Sequence, residues 1–292
     1  MIVAAVPRRR SETLVEGEYA FTVRNFEQIV ALLRAHSGIA LTDAKATLVY
    51  SRLAKRIRKL GLRDFDEYCG LVETAQGASE RGEMLAALTT NHTRFYREPH
   101  HFDHLRQKLI PRLMAAAKDG KRVRIWSAAC SSGEEPYSIA LTLLEAFPEA
   151  DRHDVRILAT DIDPNILAKA RAGLYSEDIV APIPAGQRER WLSRNRGDAE
   201  RVWRVKDEVR ALITFKQLNL IGDWPMGGRF DAIFCRNVVI YFEEATQTFL
   251  WGRFKNMLTP EGRLYIGHSE RVDTDSFVSD GLTVYKLAGG AQ

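Results

Sequence analysis

The stretch Val123–Phe147, VRIWSAACSSGEEPYSIALTLLEAF, decides the fold. Its first five residues, Val123–Ser127, read as a short buried strand. Ala128–Gly133 is a loop of small residues, and Glu134–Phe147 has the pattern of a helix. Strand, small-residue loop and helix together form the opening unit of an open α/β sheet. In such sheets ligands sit beyond the carboxyl ends of the strands, where helix N-termini aim backbone amides at them. The texture continues downstream. Val155–Thr160 is a second strand ending at Asp161, and Pro164 suits the first turn of a helix carrying Ile166, Leu167 and Ala170. Ile213–Leu220, Phe230–Cys235 and Arg263–Gly267 are further strands, with a helix around Thr246–Leu258, and Thr283–Leu287 closes the sheet. This alternation predicts an α/β domain with helices on both faces of the sheet. Gly173–Lys206 interrupts it with Pro182, Pro184, a helical fragment at Trp191 and a strand at Val202–Val205, and reads as an inserted subdomain.

Upstream the pattern is helical, from Phe21 to about Arg94. Phe26, Ile29, Val30 and Leu33 recur at helical spacing up to Gly38. Thr42 or Asp43 can cap a second helix bearing Leu48, Leu53, Ile57 and Leu60 and ending at Gly61. Phe65, Tyr68, Leu71 and Val72 make a third helix, and Met84, Leu85 and Leu88 begin a fourth. Residues 1–20 lack periodicity and read as a flexible extension. The expected domains are therefore 21–94, helical, and 95–292, α/β, with 173–206 inserted in the latter. A length of 292 residues suits two domains.

Composition narrows the function. Hydrophobic residues at 45% and charged residues at 27% exclude wholesale disorder and a disulfide miniprotein. Cys69, Cys130 and Cys235 are far apart, without a CxxC pair, so neither a disulfide framework nor a structural zinc site is expected and the setting is a reducing cytoplasm. No apolar run approaches the roughly 20 residues of a membrane span. The net charge is +4, from 42 Lys and Arg against 38 Asp and Glu. Lys45–Arg63 alone holds seven basic residues and no acidic one; without it the balance is −3, from 35 against 38. The basicity is one local patch, which disfavours a general nucleic-acid binder.

Five places carry candidate chemistry. The loop Ala128–Gly133 has one glycine rather than a dinucleotide fingerprint, and Glu134 and Glu135 put negative charge where a pyrophosphate would sit. A ligand with a cationic amine fits better; the plain alternative is a tight turn with acids at a helix N-terminus. Asp161, at a strand end, can accept both hydroxyls of a ribose, or cap the next helix, a role open also to Asp163. Small loop plus acidic strand end suggest an adenosyl ligand without phosphates, and S-adenosylmethionine (SAM) fits. Arg236 and Asn237 end the Phe230–Cys235 strand, and Tyr241 follows on a short apolar segment where packing alone explains it. In Thr89–Phe102, Asn91, Thr93, Arg94 and Arg97 alternate with Phe95 and Tyr96. His100 and His104 have helical ligand spacing, but nothing completes a coordination sphere and no metal is expected. Arg52, Lys55, Arg58 and Lys59 share a helix face flanked by Arg56, with no acid interspersed. Such a face suits docking onto something acidic.

Together these segments resemble the CheR family, SAM-dependent glutamate methyltransferases of bacterial chemoreceptors. The resemblance is carried in order by LTTNHTRFYREPHHF (Leu88–Phe102), IWSAACSSGEEPYSIA (Ile125–Ala140), ATDID (Ala159–Asp163), FDAIFCRNVVIYF (Phe230–Phe242) and GHSE (Gly267–Glu270). It implies a Rossmann-like SAM-methyltransferase sheet with a small inserted β-subdomain, preceded by an all-helical N-terminal domain. It further implies that SAM is contacted by Asn91, Thr93, Arg97, Glu134, Glu135, Asp161, Asn219, Leu220, Cys235, Arg236 and Asn237. Arg97 and Tyr241 would stand at the reacting methyl group. The face of Arg52, Lys55, Arg56, Arg58 and Lys59 would dock the receptor's cytoplasmic methylation helices. The products would be a γ-glutamyl methyl ester and S-adenosylhomocysteine. Some members grip a receptor C-terminal tail through a glycine-rich loop of the β-subdomain; here Ser193–Glu200 has only Gly197. The competing readings are a SAM methyltransferase acting on RNA or a small molecule, and a non-catalytic SAM-binding scaffold.

Overall fold

The computed structural model describes residues 12–194, 202–272 and 275–289. The chain divides into two compact units, Met1–Thr90 with Tyr241–Glu243, and Asn91–Ile240 with Glu244–Gln292.

In the first unit β1 (Thr13–Val15) pairs antiparallel with β2 (Phe21–Thr22). Then follow α1 (Val23–Ser37), α2 (Ala46–Leu60), α3 (Phe65–Glu73) and α4 (Ala78–Leu88). Helix α1 starts at a reciprocal cap: Asn25 N–H donates to Thr22 Oγ1 at 3.2 Å and Thr22 N–H to Asn25 Oδ1 at 3.0 Å. Asp64 caps α3 by accepting from Glu67 N–H at 2.8 Å. The buried faces meet in one cluster, with Phe26, Ile29 and Leu33 from α1, Val49, Leu53 and Ile57 from α2, Phe65, Tyr68 and Val72 from α3, and Met84 and Leu88 from α4.

Three expectations change here. Residues from 12 onward are not a flexible extension: Glu12 accepts from Val23 N–H at 2.9 Å, and the Tyr19 ring packs edge-on against Phe65. The unit ends at Thr90 rather than Arg94 and takes in Tyr241–Glu243. On α2 the buried face contains Val49; Leu48 is only half-buried and Leu60 is 40% exposed. The helix begins at Ala46, so its apolar stripe starts one residue away from the position that Leu-based counting selects.

The basic face of α2 is also less free than its own sequence shows, because its acids come from elsewhere in the unit. Arg56 Nε donates to Glu80 Oε1 and Nη1 to Glu83 Oε2, each at 2.9 Å, and Tyr68 Oη donates to the same Glu80 oxygen at 3.0 Å. Arg52 Nη1 donates to the carbonyls of Ala87 and Thr89 at 3.1 and 2.8 Å, closing the end of α4. Arg58 pairs with Glu18. Lys55 and Lys59 are exposed and have no polar partner among the described residues.

In the second unit α5 (Pro99–His104) runs through a π-helical turn, Leu105–Leu109, into α6 (Ile110–Lys118). Then follow β3 (Val123–Ala128), α7 (Glu134–Ala146), β4 (Val155–Asp161) and α8 (Pro164–Ala172). The insertion contributes β5 (Leu174–Ser176), α9 (Glu177–Val180), α10 (Ala185–Trp191), β6 (Leu192–Arg194) and β7 (Val202–Val205), and its strands form a separate sheet in the order β5-β7-β6. Residues 195–200 of the Ser193–Glu200 loop lie outside the described residues. The chain returns through α11 (Asp207–Arg210) to β8 (Ile213–Gln217), β9 (Phe230–Cys235), α12 (Glu244–Met257), β10 (Leu258–Ile266), β11 (Phe277–Gly281) and β12 (Val284–Leu287). Strand β11 has no counterpart in the periodicity reading, and β8 stops three residues short of it.

The main sheet has the order β11-β12-β10-β9-β3-β4-β8. Strands β10, β9, β3, β4 and β8 run parallel, and the β11–β12 hairpin lies antiparallel along one edge. Alternation along β3 sends Ile125 into the cluster that holds Ile139 and Leu143 of α7, and Trp126 to the opposite face against Phe254 of α12. Strand order reverses at β3: the chain moves outward through β4 and β8, then crosses back to β9. The carboxyl ends of β3 and β9 therefore flank the crevice where such folds bind ligands.

Arg56→Ala should lower the unfolding free energy by about 2 kcal/mol in urea denaturation, because it leaves the mostly buried Glu80 carboxylate without its cation. Arg58→Ala, whose pair is exposed, should leave the urea midpoint nearly unchanged. Equal losses in the two variants would remove the distinction.

Candidate active site

The site in the second unit is assembled from four segments: residues 91–98, the β3–α7 loop, the ends of β4 and β8, and the end of β9. The β3–α7 loop is narrow for a local reason. Ala129 and Ser131 take positive φ, and Gly133 sits at φ 99°, where a Cβ would meet Tyr175 Oη at 2.9 Å and the Ala170 Cβ at 3.0 Å. Only glycine fits there without displacing α8. Tyr96, Glu98 and Asn237 also have positive φ, so left-handed backbone concentrates around this one crevice.

Two hydrogen-bonded groups occupy the crevice. In the first, Asp161 at the end of β4 is 6% exposed. Its Oδ2 accepts from Ser131 N–H at 2.8 Å and its Oδ1 from Asp163 N–H at 3.0 Å. Asp163, not Asp161, caps α8, accepting from Asn165 and Ile166 N–H at 2.8 and 3.3 Å. Asn91 Nδ2 donates to Asp163 at 3.2 Å, and its carbonyl accepts from Ser131 Oγ at 3.0 Å. Leu218 N–H donates to the Asp161 carbonyl at 2.9 Å, which brings Asn219 and Leu220 beside the end of β4. The Leu220 carbonyl is held by Trp224 Nε1 at 3.1 Å and Arg253 Nη1 at 2.9 Å.

The second group is centred on Arg236, whose side chain is 2% exposed. Its Nη1 donates to Glu135 Oε2 at 3.0 Å, and Ser127 Oγ donates to the other Glu135 oxygen at 2.7 Å. Its Nη2 donates to the backbone carbonyl of Arg97 and lies 3.3 Å from Glu98 Oε2. Glu98 Oε1 accepts from His268 Nδ1 at 2.8 Å, His268 N–H at 3.2 Å and Asn237 Nδ2 at 3.3 Å. Arg97 turns its own guanidinium back onto the His92 carbonyl, at 3.0 Å. Glu270 closes the floor: its two oxygens accept from Val238 and Val239 N–H at 2.8 and 2.9 Å and from Gly267 N–H at 2.5 Å.

Electrostatics separates these carboxylates. Burial raises Asp161, Glu134, Glu135 and Glu270; Glu135 is pulled back by Arg236 and Ser127, and Asp161 by the amides of Asp163 and Ser131. Burial also pushes Glu98 up, but His268, Arg236 and Asn237 outweigh it and hold its carboxyl at about 2. Burial, then Arg236 and His100, push the His101 imidazole down to about 3, so it is neutral at pH 7. The Cys235 thiol is driven well above its ordinary value by burial, which leaves it no thiolate chemistry.

Of the residues singled out from the sequence, the structure gathers Asn91, Asp161, Asn219 and Leu220 in one group and Glu135, Arg236, Asn237 and the Arg97 backbone in the other. Thr93 is half-buried in the 91–98 segment. Glu134 is turned to Ser132 Oγ at 2.7 Å and buried to 4% exposure. Tyr241 belongs to the helical unit, where its carbonyl accepts from Ala40 N–H at 2.8 Å and Phe242 bridges to Ile39. His100 and His104 do not converge: His104 faces Tyr265 and Asp280, while His100 faces Thr283. Glu98, His100 and His101 each bring one ligand-type atom within 4.8 Å, but the Arg236 guanidinium lies 3.3 Å from Glu98 Oε2, a poor neighbour for a metal cation. Glu98 and Glu270 were not singled out. Only their places in the REPHHF and GHSE strings mark them.

The donor set fits an adenosyl ligand with a cationic amine. Carboxylates stand at the end of β4 and in the first turn of α7, the β3–α7 loop is made of small residues, and neither hydrogen-bonded group offers a phosphate an unpaired cation. A parallel sheet with such a site at its switch point is that of a SAM-dependent methyltransferase. The CheR methyltransferase SAM-binding domain matches residues 91–285 and the CheR methyltransferase all-alpha domain residues 24–89. The chain belongs to the CheR methyltransferase family. It is 52% identical over 258 residues to a probable chemotaxis protein methyltransferase of Rhizobium etli, covering 87% of this chain and 96% of that one. It is 43% identical to chemotaxis protein methyltransferase 2 of Pseudomonas aeruginosa, over 93% of this chain and 95% of that one. Identity to the Escherichia coli chemotaxis protein methyltransferase is 40%, over 92% of each. Among the described residues no helix is long and apolar enough to cross a membrane.

His101 links the site to stability. Its folded pKa lies below the unfolded 6.5, so its contribution is complete above pH 6.5 and is lost as pH falls toward about 3. The unfolding free energy should therefore decline below pH 6.5, with a slope from this one group of up to about 1.4 kcal/mol per pH unit. His101→Gln should flatten the slope between pH 6 and 5 in urea titrations. An unchanged slope would mean that other groups carry the acid sensitivity.

Proposed function

We propose that this enzyme methylates glutamate side chains on the cytoplasmic helices of a bacterial chemoreceptor, forming γ-glutamyl methyl esters and S-adenosylhomocysteine. The observation that carries the reading is the Arg236 clamp. One buried guanidinium ties Glu135 and the Arg97 backbone together at the switch point of the sheet. Bound SAM supplies a methyl group already activated by its sulfonium, departing from a neutral thioether.

Glu135 is assigned to the methionine amine, with Glu134 buried beside it. Asp161 is assigned to the ribose. Each of its oxygens is fixed by one backbone amide and keeps a lone pair for a hydroxyl. Asn91, Thr93, Asn219, Leu220, Cys235, Arg236 and Asn237 complete the lining, the buried Cys235 through shape rather than its thiol. A glutamate acceptor has a reference pKa of about 4.3 and is ionised at pH 7, so no general base is needed. What remains for the chain is in-line positioning and partial desolvation of that carboxylate. Arg97 and Tyr241 are assigned to it: Arg97 brings a cation whose backbone is held on both sides, and Tyr241 a phenol. For docking, the partners found within the helical unit shift the assignment among Arg52, Lys55, Arg56, Arg58 and Lys59 toward Lys55 and Lys59, whose charges are unspent.

Incubation with radiolabelled SAM and a receptor cytoplasmic fragment should give base-labile label on the fragment, and none on RNA offered in parallel. Label on RNA alone would overturn the glutamate reading. Arg97→Ala and Tyr241→Phe should lower turnover by tenfold or more while SAM affinity, read by calorimetry, changes by less than about threefold. Lys55→Glu with Lys59→Glu should raise KM for the fragment and leave SAM affinity intact. Arg56→Ala, already engaged with Glu80, should act through stability instead.

A further inference from the structure

We propose a second binding site, for a nucleotide, at the amino-terminal edge of the methyltransferase sheet, built from Arg122, Arg124, Arg156 and Arg229. A cavity of about 330 Å³ opens there, and its lining holds these four arginines and no acidic side chain. The inference does not rest on the methyl-transfer reading.

The register makes the arrangement unusual. Arg124 and Arg156 are direct partners across the parallel β3–β4 ladder, so their side chains leave the same face next to each other. Like charges placed opposite each other in a sheet are destabilising unless something answers them. Among the described residues only Arg124 of the four has an acidic partner, Asp154, at 2.7 Å. Arg156 donates to backbone carbonyls alone, Val155 at 2.7 Å and His153 at 3.3 Å. Arg122 and Arg229 have no hydrogen-bond or ion-pair partner among the described residues. The other nearby carboxylate, Asp231, is taken up by the Arg124 backbone N–H at 2.9 Å and by Thr259 Oγ1 at 3.5 Å. Among the described residues, three of the four charges thus have no carboxylate partner, around one concavity.

The floor indicates what accompanies the anion. Leu158, Met226 and Phe230 line the cavity with apolar surface, and Gly228 presents bare backbone at its rim. A free phosphate has no use for such a floor, whereas a planar base does. Guanidinium planes both stack on bases and bind phosphate oxygens in pairs. The volume lies at the small end of ligand sites, which matches one nucleotide. The cavity is also remote from the carboxylates of the cofactor crevice. Arg124 and Arg156 are the second residues of β3 and β4, and Arg124 stands four residues, roughly 13 Å, from the strand's carboxyl end.

The test is calorimetric titration of the full chain with GMP, GTP, ATP and inorganic pyrophosphate, in saturating S-adenosylhomocysteine so that no added nucleotide enters the cofactor crevice. At least one nucleotide should bind with Kd below about 100 μM. Arg156→Ala with Arg229→Ala should weaken it at least tenfold and leave S-adenosylhomocysteine affinity and the thermal midpoint unchanged. Failure of every nucleotide to bind with Kd below about 100 μM would overturn the proposal. So would pyrophosphate binding as tightly as the nucleotides, which would reduce the cavity to an anion site. Undiminished binding in the double variant would place the nucleotide elsewhere, and an RNA oligomer binding at least 100-fold tighter than any mononucleotide would replace the nucleotide with nucleic acid.

Discussion

The buried guanidinium of Arg236 is the constraint around which the methyltransferase unit is arranged. A cation at 2% exposure must be matched or it destabilises the fold, and here two carboxylates and a main-chain carbonyl surround it. Each of those partners arrives from a different segment. Glu135 opens α7, Glu98 ends the 91–98 segment in a left-handed conformation, and the carbonyl is that of Arg97. Satisfying one side chain therefore fixes the relative positions of three pieces of chain around the cofactor crevice. The strained backbone at Tyr96, Glu98 and Asn237 is held because these hydrogen bonds over-determine it.

The same logic explains why the carboxylates differ in pKa though they share one crevice. Glu98 faces a cation and three donors, so it stays ionised far below pH 7. Asp161, Glu134 and Glu135 feel burial first and are pushed upward, each with fewer compensating contacts. Glu98 is thus an anion held by the protein itself: its Oε1 takes up His268 and Asn237, while its buried Oε2 meets Arg236 only as an ion pair and accepts no hydrogen bond. Each oxygen of Asp161 and Glu135 accepts one hydrogen bond from within the protein and keeps a second lone pair. A further donor brought to either carboxylate would offset part of its desolvation cost.

Much of this was legible in the residues. The strand, loop and helix of Val123–Phe147 fall within one or two residues of β3 and α7, because a buried parallel strand and a small-residue turn leave little ambiguity. Asp161 stood out by its place at a strand end, and Asp163 proved to be the cap that the sequence offered as an alternative for it. What stayed hidden were long-range pairings. Nothing near Arg56 in sequence announces Glu80 and Glu83, and nothing near Glu98 announces Arg236 or His268, more than 130 positions away. Leu48 and Leu60 misled because an apolar residue on the margin of a stripe counts the same as one at its centre. Strand β11 was missed because it has only one well-buried residue, Phe277.

The two clusters of positive charge described above differ in kind, and the difference lies in backing. On α2, Lys55 and Lys59 stand on a convex helix surface. An ammonium there is a hydrated point charge suited to a broad, exchangeable contact with an acidic helix. At the amino-terminal edge of the sheet the charges are guanidinium groups, two of them, Arg124 and Arg156, fixed in register by the β3–β4 ladder, around a cavity that Leu158 and Phe230 also line. Concavity and an apolar floor reduce the hydration that an entering anion has to displace and give its neutral part somewhere to rest. Surface lysines that merely balance net charge need neither register nor floor; the arginine cavity has both. That is why composition, which assigned the chain's excess positive charge to the Lys45–Arg63 segment alone, could not show it: these four arginines are scattered over more than 100 positions and are brought together only by the parallel sheet.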